Sequence, residues 1–203
     1  MKIIAIGWNY AEHNAELYKE EKKNIVLFQK PETALLRDNK PFYLPDFSED
    51  VQYETEIVVR ISKMGKNISP KFADRYYDAI GLGIDFTARD LQKKAKEQGA
   101  PWDISKGFDG AAPVSNFLPK EDFPNVQDIE FSLKKNGELV QSGNTKDMIT
   151  SIAEIIAEAS KYFTLKTGDL IFTGTPKGVG RVQIDDHLEG YIGTTKMLDF
   201  FVK

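Results

Sequence analysis

The sequence predicts a β-rich α+β fold, and three patterns carry that reading. Runs rich in β-branched residues, Gln52–Ile61 above all, recur along the chain. Asn136-Gly137 stands between two apolar runs, a strong signal for a two-residue hairpin. Helical and strand segments mix without the regular strand–helix alternation of a doubly wound parallel sheet.

Taken in order, Ile3–Ile6 reads as a short strand and Glu12–Glu20 as a short polar helix. Ile25–Gln29 and Gln52–Ile61 read as strands. Ser69-Pro70 opens a helix, with proline suited to its first position, and the spacing carries it to about Ala79. Ile80–Thr87 is an apolar run holding one aspartate. Ala88–Gln98 is a charged helix stopped by Gly99 and Pro101. Ile129–Lys135 and Glu138–Ser142 form the hairpin. Ser151 and Glu154 make a capping box for a helix whose apolar face is Ile152, Ile155, Ile156, Ala159 and Phe163. Asp169–Thr173, Arg181–Ile184 and Lys196–Val202 read as the remaining strands.

The 203 residues suffice for one domain with a substantial core, and no linker or repeat divides them. Net charge is -4 with acids and bases interspersed, so no basic face for nucleic acid is visible. There is no cysteine, which excludes disulfides and thiolate-held zinc or iron–sulfur. Only two histidines are present, His13 and His187, too few for a multi-histidine metal site. The first residues lack a secretory leader pattern and no apolar stretch is long enough to span a bilayer, so the expected location is the cytoplasm, away from membranes.

Four constellations could carry chemistry. Glu54 and Glu56 share one face of an apolar strand, and Asp85 sits in Gly83-Ile84-Asp85-Phe86-Thr87. Paired acids repel and lose hydration when buried, costs that a divalent cation removes. Hard oxygens select Mg2+, Mn2+ or Ca2+. The residues alone leave open the plainer reading, a solvated edge strand with ordinary ion pairs. His13 and Glu16, three apart on a helix, could form a general-base pair or an incidental surface pair. Lys106 could neutralise a substrate carboxylate or an oxyanion, and Lys30 before Pro31 has the same ambiguity against an ordinary lysine. Thr173–Gly180, rich in glycine after an apolar strand, offers close backbone approach and the Thr175 hydroxyl, or is a tight loop between strands. It has neither the spacing of a P-loop nor that of a dinucleotide fingerprint. His187 reads as a surface turn without a role.

In chain order, Gly7-Trp8-Asn9-Tyr10-Ala11-Glu12-His13, Lys30-Pro31, Tyr53-Glu54-Thr55-Glu56, Asp85-Phe86-Thr87-Ala88-Arg89-Asp90-Leu91-Gln92, Ser105-Lys106-Gly107-Phe108-Asp109, Pro113-Val114-Ser115, Asn136-Gly137-Glu138 and Thr173–Gly180 resemble the fumarylacetoacetate hydrolase family. The match is closest to its short, single-domain acylpyruvase/oxaloacetate decarboxylase branch. The resemblance implies a β-roll within the α+β fold, a single catalytic domain over residues 1–203 and a homodimer. It implies that Glu54, Glu56 and Asp85 bind one Mg2+ or Mn2+, that Lys106 lies beside the substrate, and that His13 and Glu16 sit on a lid helix. Lys30, Arg89, Gln92 and Thr175 match positions that line the family's pocket. Trp8, Tyr53 and the Glu32-Thr33-Ala34-Leu35 run depart from the branch's usual residues.

The reaction expected on that basis is metal-assisted cleavage of a C–C bond in a small 2-oxo acid through an enolate: acylpyruvate hydrolysis, oxaloacetate decarboxylation, or both. Isomerisation or decarboxylation of a 2-hydroxydienedioate is the alternative within enzymes. A non-catalytic metal-binding protein is the alternative outside them.

Overall fold

The computed structural model describes residues 1–17 and 26–203. Its centre is a mixed six-stranded sheet in the order Val26–Lys30, Ile3–Gly7, Leu170–Phe172, Thr55–Ile61, Tyr77–Ile84, Leu118–Pro119. Ile3–Gly7 runs parallel to Leu170–Phe172, and the other neighbours are antiparallel. A four-stranded antiparallel sheet, ordered Glu138–Asn144, Glu130–Lys135, His187–Ile192, Thr195–Phe201, packs on it. Gly190 shows how close the two layers lie: a Cβ there would stand 2.6 Å from Leu82 Cδ2 in the central sheet. The architecture is α+β, as the patterning predicts.

Local chemistry places several elements where the sequence puts them. Asn136 and Gly137 adopt φ of 54° and 83°, the left-handed pair that a tight hairpin requires. The helix Ile152–Tyr162 starts at a complete Ser151/Glu154 capping box and buries Ile152, Ile155, Ile156 and Ala159, with Phe163 partly buried after it. The helix Arg89–Gln98 ends at Gly99. The polar helix at the start of the chain is present as Ala11–Leu17; its expected end at Glu20, and Ile25, lie outside the described residues.

Four expectations need correction. The helix predicted from Ser69 to about Ala79 is a 3-10 helix over Pro70–Arg75, and Tyr77–Ile84 is strand. Tyr77 and Ala79 are buried while Asp78, between them, pairs outward with Arg60 at 3.0 Å, so pairing with Thr55–Ile61 overrides local helix preference. The continuous strand Gln52–Ile61 is broken at Glu54: Val51–Tyr53 pairs in a separate three-stranded sheet, and Thr55–Ile61 runs through the central one. The strand expected at Arg181–Ile184 is only Gly180–Arg181, because Ile184 is exposed and Asp185 turns the chain at φ 70°. His187 likewise opens the strand His187–Ile192, where it pairs with Asp199 at 2.6 Å and stacks on Phe201.

Among the described residues, no helix is long and apolar enough to cross a membrane.

Candidate active site

The break at Glu54 builds the site. Thr55 and Glu56 pair with Ile84 and Gly83 on the neighbouring strand, and the Asp85 N–H donates to the Glu54 carbonyl at 2.8 Å. The end of one strand is thus set against the beginning of the next. Glu54, Glu56 and Asp85, 5%, 1% and 1% exposed, each bring a carboxylate oxygen within 4.8 Å of the others'.

Three cations answer these acids. Lys106 Nζ bridges Glu54 Oε2 at 2.8 Å and Asp85 Oδ2 at 2.7 Å. Lys106 lies on a one-turn helix, Asp103–Lys106, that the sequence pattern did not mark. Arg89 opens the helix Arg89–Gln98 and spreads its guanidinium over Glu54 Oε1, Gln92 Oε1 and Gln52 Oε1. Lys30 Nζ stands 2.6 Å from Asp85 Oδ1. The ammonium gives its three N–H groups to backbone carbonyls, so among the described residues Asp85 Oδ1 has this cation beside it but no hydrogen-bond donor.

The titration of the group follows from these contacts. Burial opposes the charge on Glu54, but Lys106 and Arg89 outweigh it and hold the carboxyl well below its usual range. Among the described residues no lysine pairs directly with Glu56. Burial, then Asp85 and Glu54, push its pKa well above the ordinary value against the N–H that Gly174 donates at 2.7 Å and the charge of Lys106. For Lys106, burial favours the neutral amine, yet Asp85 and Glu54 prevail and raise its pKa. Gly174 can approach Glu56 because it has no side chain: at φ 99° a Cβ would lie 2.7 Å from Asn9 Cβ.

The donor set suits a hard divalent cation. Three carboxylates meet at one point, one of their oxygens lacks a hydrogen-bond donor among the described residues, and burial with two neighbouring carboxylates disfavours the charge on Glu56. These are the residues that could hold Mg2+ or Mn2+.

The helix Ala11–Leu17 lies over this centre. His13 is buried, and burial lowers its pKa; Glu54, Arg89, Glu16 and Lys106 all act on it electrostatically. Its Nδ1 lies 3.7 Å from Glu16 Oε2 and has no hydrogen-bond partner among the described residues. Glu16 accepts from the Gly178 N–H at 3.1 Å, and Glu12 pairs with Lys177 at 3.0 Å, so the helix is tied to the Thr173–Gly180 loop. Asn9 anchors its entry, donating to the Thr173 carbonyl at 2.8 Å and accepting from the Thr150 N–H at 2.7 Å.

The structure thus gathers Glu54, Glu56, Asp85, Lys106, Arg89, Gln92, His13 and Glu16. Lys30 and Thr175 are buried and bonded within the chain. Lys30 is 1% exposed and donates to the carbonyls of Phe86, Lys106 and Ala111 besides facing Asp85. The Thr175 hydroxyl donates to the Thr55 carbonyl at 2.9 Å and accepts from Gln141. Gln141 was not marked by the sequence reading, though a signal existed. It stands opposite buried Leu133 in the hairpin, an inward position where an amide must find partners.

Buried acids and lysines under a helix, within a mixed α+β core, are the features to set beside known proteins. Residues 2–198 match the model of the fumarylacetoacetate (FAA) hydrolase C-terminal family, and the chain belongs to that family of enzymes. Oxaloacetate tautomerase FAHD1, mitochondrial, of Mus musculus is 41% identical over 201 residues, 99% of this chain and 91% of the relative. Oxaloacetate tautomerase YcgM of Escherichia coli is 39% identical over 202 residues, 97% of this chain and 92% of the relative. Among solved structures, fumarylpyruvate hydrolase from Pseudomonas aeruginosa, in complex with Mn2+ and pyruvate, superposes with a TM-score of 0.94 at 32% identity, covering 100% of this chain and 89% of that one.

Proposed function

We propose that this enzyme, with a divalent metal ion, stabilises the enolate of a small 2-oxo acid and interconverts the enol and keto forms of oxaloacetate. The observation that carries the reading is the buried convergence of Glu54, Glu56 and Asp85 with the Lys106 ammonium lodged against two of them. The names of the similar tautomerases support oxaloacetate as the substrate. Tautomerisation uses the same enolate as the C–C cleavage expected from the sequence.

Glu54, Glu56 and Asp85 would hold Mg2+ or Mn2+, which supplies Lewis-acid polarisation of a 2-oxo group. Lys106 keeps its proton and presents a fixed positive charge to the developing enolate oxygen in a dry site. Arg89 braces Glu54 from the outer side. His13, kept neutral by burial, takes the proton of the enol hydroxyl to leave the enolate and delivers it to the carbon beside the 2-oxo group, and enolisation runs the same transfer in reverse. Glu16 holds the imidazole's orientation and is itself fixed by the Gly178 N–H. Lys30 places Asp85.

Hydrolysis of an acylpyruvate is the second reading, favoured by the His13–Glu16 pair and by the likeness to fumarylpyruvate hydrolase. There His13 takes a proton from the water that attacks the distal carbonyl. The C–C bond breaks, and the pyruvate enolate takes up a proton. We further propose that the whole chain is one catalytic domain and pairs as a homodimer, which light scattering on the purified protein tests.

The deciding experiment presents enol-oxaloacetate, acetylpyruvate and fumarylpyruvate to the chain with Mg2+ and with chelator. Accelerated ketonisation that chelator abolishes is expected. Metal-dependent hydrolysis without ketonisation moves the assignment to the second reading, and no turnover of any of the three overturns both.

A further inference from the structure

Thr55 stands between the two glutamates, and both of its backbone polar groups are held from elsewhere in the chain. Its N–H donates to Gln141 Oε1 at 2.9 Å. Its carbonyl accepts from Thr175 Oγ1 at 2.9 Å. Gln141 Nε2 closes the ring, donating to Thr175 Oγ1 at 2.9 Å and to the Pro176 carbonyl at 3.0 Å. The side chain that joins these ends is 2% exposed and comes from Glu138–Asn144, a strand of the other sheet.

Every end of this ring abuts an acid of the site. Thr55 is bonded covalently to Glu54 and Glu56. Thr175 follows Gly174, whose N–H donates to Glu56 Oε2 at 2.7 Å. Glu54 is tied in turn through its carbonyl to the Asp85 N–H. A rotation of either peptide flanking Thr55 would swing the two carboxylates relative to each other, and the ring blocks both rotations. The amide has one orientation that satisfies all three partners, its oxygen toward the N–H and its nitrogen toward the two oxygens.

We propose that Gln141, through Thr175, is a positioning residue that sets the spacing of Glu54 and Glu56 for a divalent ion; this rests on the metal reading above. The side chain bonds to Thr55, Thr175 and Pro176, not to the three carboxylates. It fixes the peptide from which two of the three acids project, as outer partners of metal ligands do.

The test measures the Mn2+ dissociation constant by electron paramagnetic resonance on chelator-stripped protein, alongside the unfolding temperature of the metal-free form. Gln141→Met should weaken Mn2+ about tenfold or more. Thr175→Val should weaken it likewise, and Thr175→Ser, which restores the hydroxyl, should return wild-type affinity. Should Gln141→Met not fold, the two threonine variants decide by the same criterion. Folded variants that bind Mn2+ as wild type does, whatever their unfolding temperature, overturn the assignment and leave Gln141 a packing residue. Glu56→Gln separates the two claims. If it loses Mn2+ while Gln141→Met and Thr175→Val keep it, only the positioning role fails. If wild type binds no Mn2+, or Glu56→Gln binds it unchanged, the metal reading fails and takes the positioning role with it.

Discussion

Lys30→Met separates support of the acids from contact with substrate. Methionine fills the volume of the lysine stem but removes the ammonium. The structure gives that ammonium one carboxylate, Asp85 Oδ1 at 2.6 Å, and three backbone carbonyls, with no exposed surface on the side chain. Deleting one partner of a buried pair costs about 3–5 kcal/mol; here Asp85 keeps Lys106 at 2.7 Å, while its Oδ1 and the Phe86 and Lys106 carbonyls lose their buried cation. The Ala111 carbonyl still accepts from the Phe86 N–H at 2.9 Å, which softens the loss at that one acceptor. For a chain of this size each kcal/mol lowers the unfolding temperature by about 2–4 °C, so the metal-free variant should melt roughly 6–20 °C below wild type. Mg2+ should raise the unfolding temperature of the variant more than that of wild type, since an ion at the acids gives Asp85 a new counter-charge in place of Lys30. The assay is thermal unfolding in chelator and in Mg2+. A metal-free unfolding temperature within about 2 °C of wild type, with KM for oxaloacetate raised, would refute the reasoning and return Lys30 to the substrate pocket.

Glu56→Gln should abolish metal binding and, in chelator at pH 8, unfold at the wild-type temperature or above it. Burial and the neighbouring Asp85 and Glu54 raise the Glu56 pKa, so the wild-type metal-free protein loses stability as pH rises from the ordinary carboxylate range toward the folded value, and glutamine removes that loss. A lower unfolding temperature than wild type at pH 8 contradicts this. His13→Ala should lower acetylpyruvate hydrolysis by about 100-fold or more while Mn2+ binds as before. Because burial lowers the His13 pKa, the acid limb of the wild-type pH–rate profile should fall below 6.5, and a limb above it contradicts a neutral buried base. Gly174→Ala forces a Cβ to within 2.7 Å of Asn9 at φ 99° and should cost about 1–3 kcal/mol in urea unfolding; an unchanged midpoint would show that the loop gives way freely.

The elements legible in the sequence are those fixed by short-range chemistry. Asn136-Gly137 can adopt its two left-handed conformations wherever it stands, and Ser151 with Glu154 caps a helix without outside help. Tyr77–Ala79 is different: its strand depends on Arg60 and Ile61, far away in sequence. The break at Glu54 was hidden for the same reason, since an unbroken β-branched run does not show that its first residues pair in another sheet. At the site, the unusual cost of acids within apolar runs marked Glu54, Glu56 and Asp85. The bonds that Lys30 and Thr175 give to backbone carbonyls were not marked, because backbone carbonyls leave no trace in residue identity.

The account stands most directly on a calorimetric titration of the chelator-stripped chain with Mg2+ in two buffers of different ionisation enthalpy. It predicts one ion per chain, bound with release of a proton from Glu56, and no binding in the Glu56→Gln variant. Saturation without proton release, or the same isotherm in wild type and variant, would contradict it.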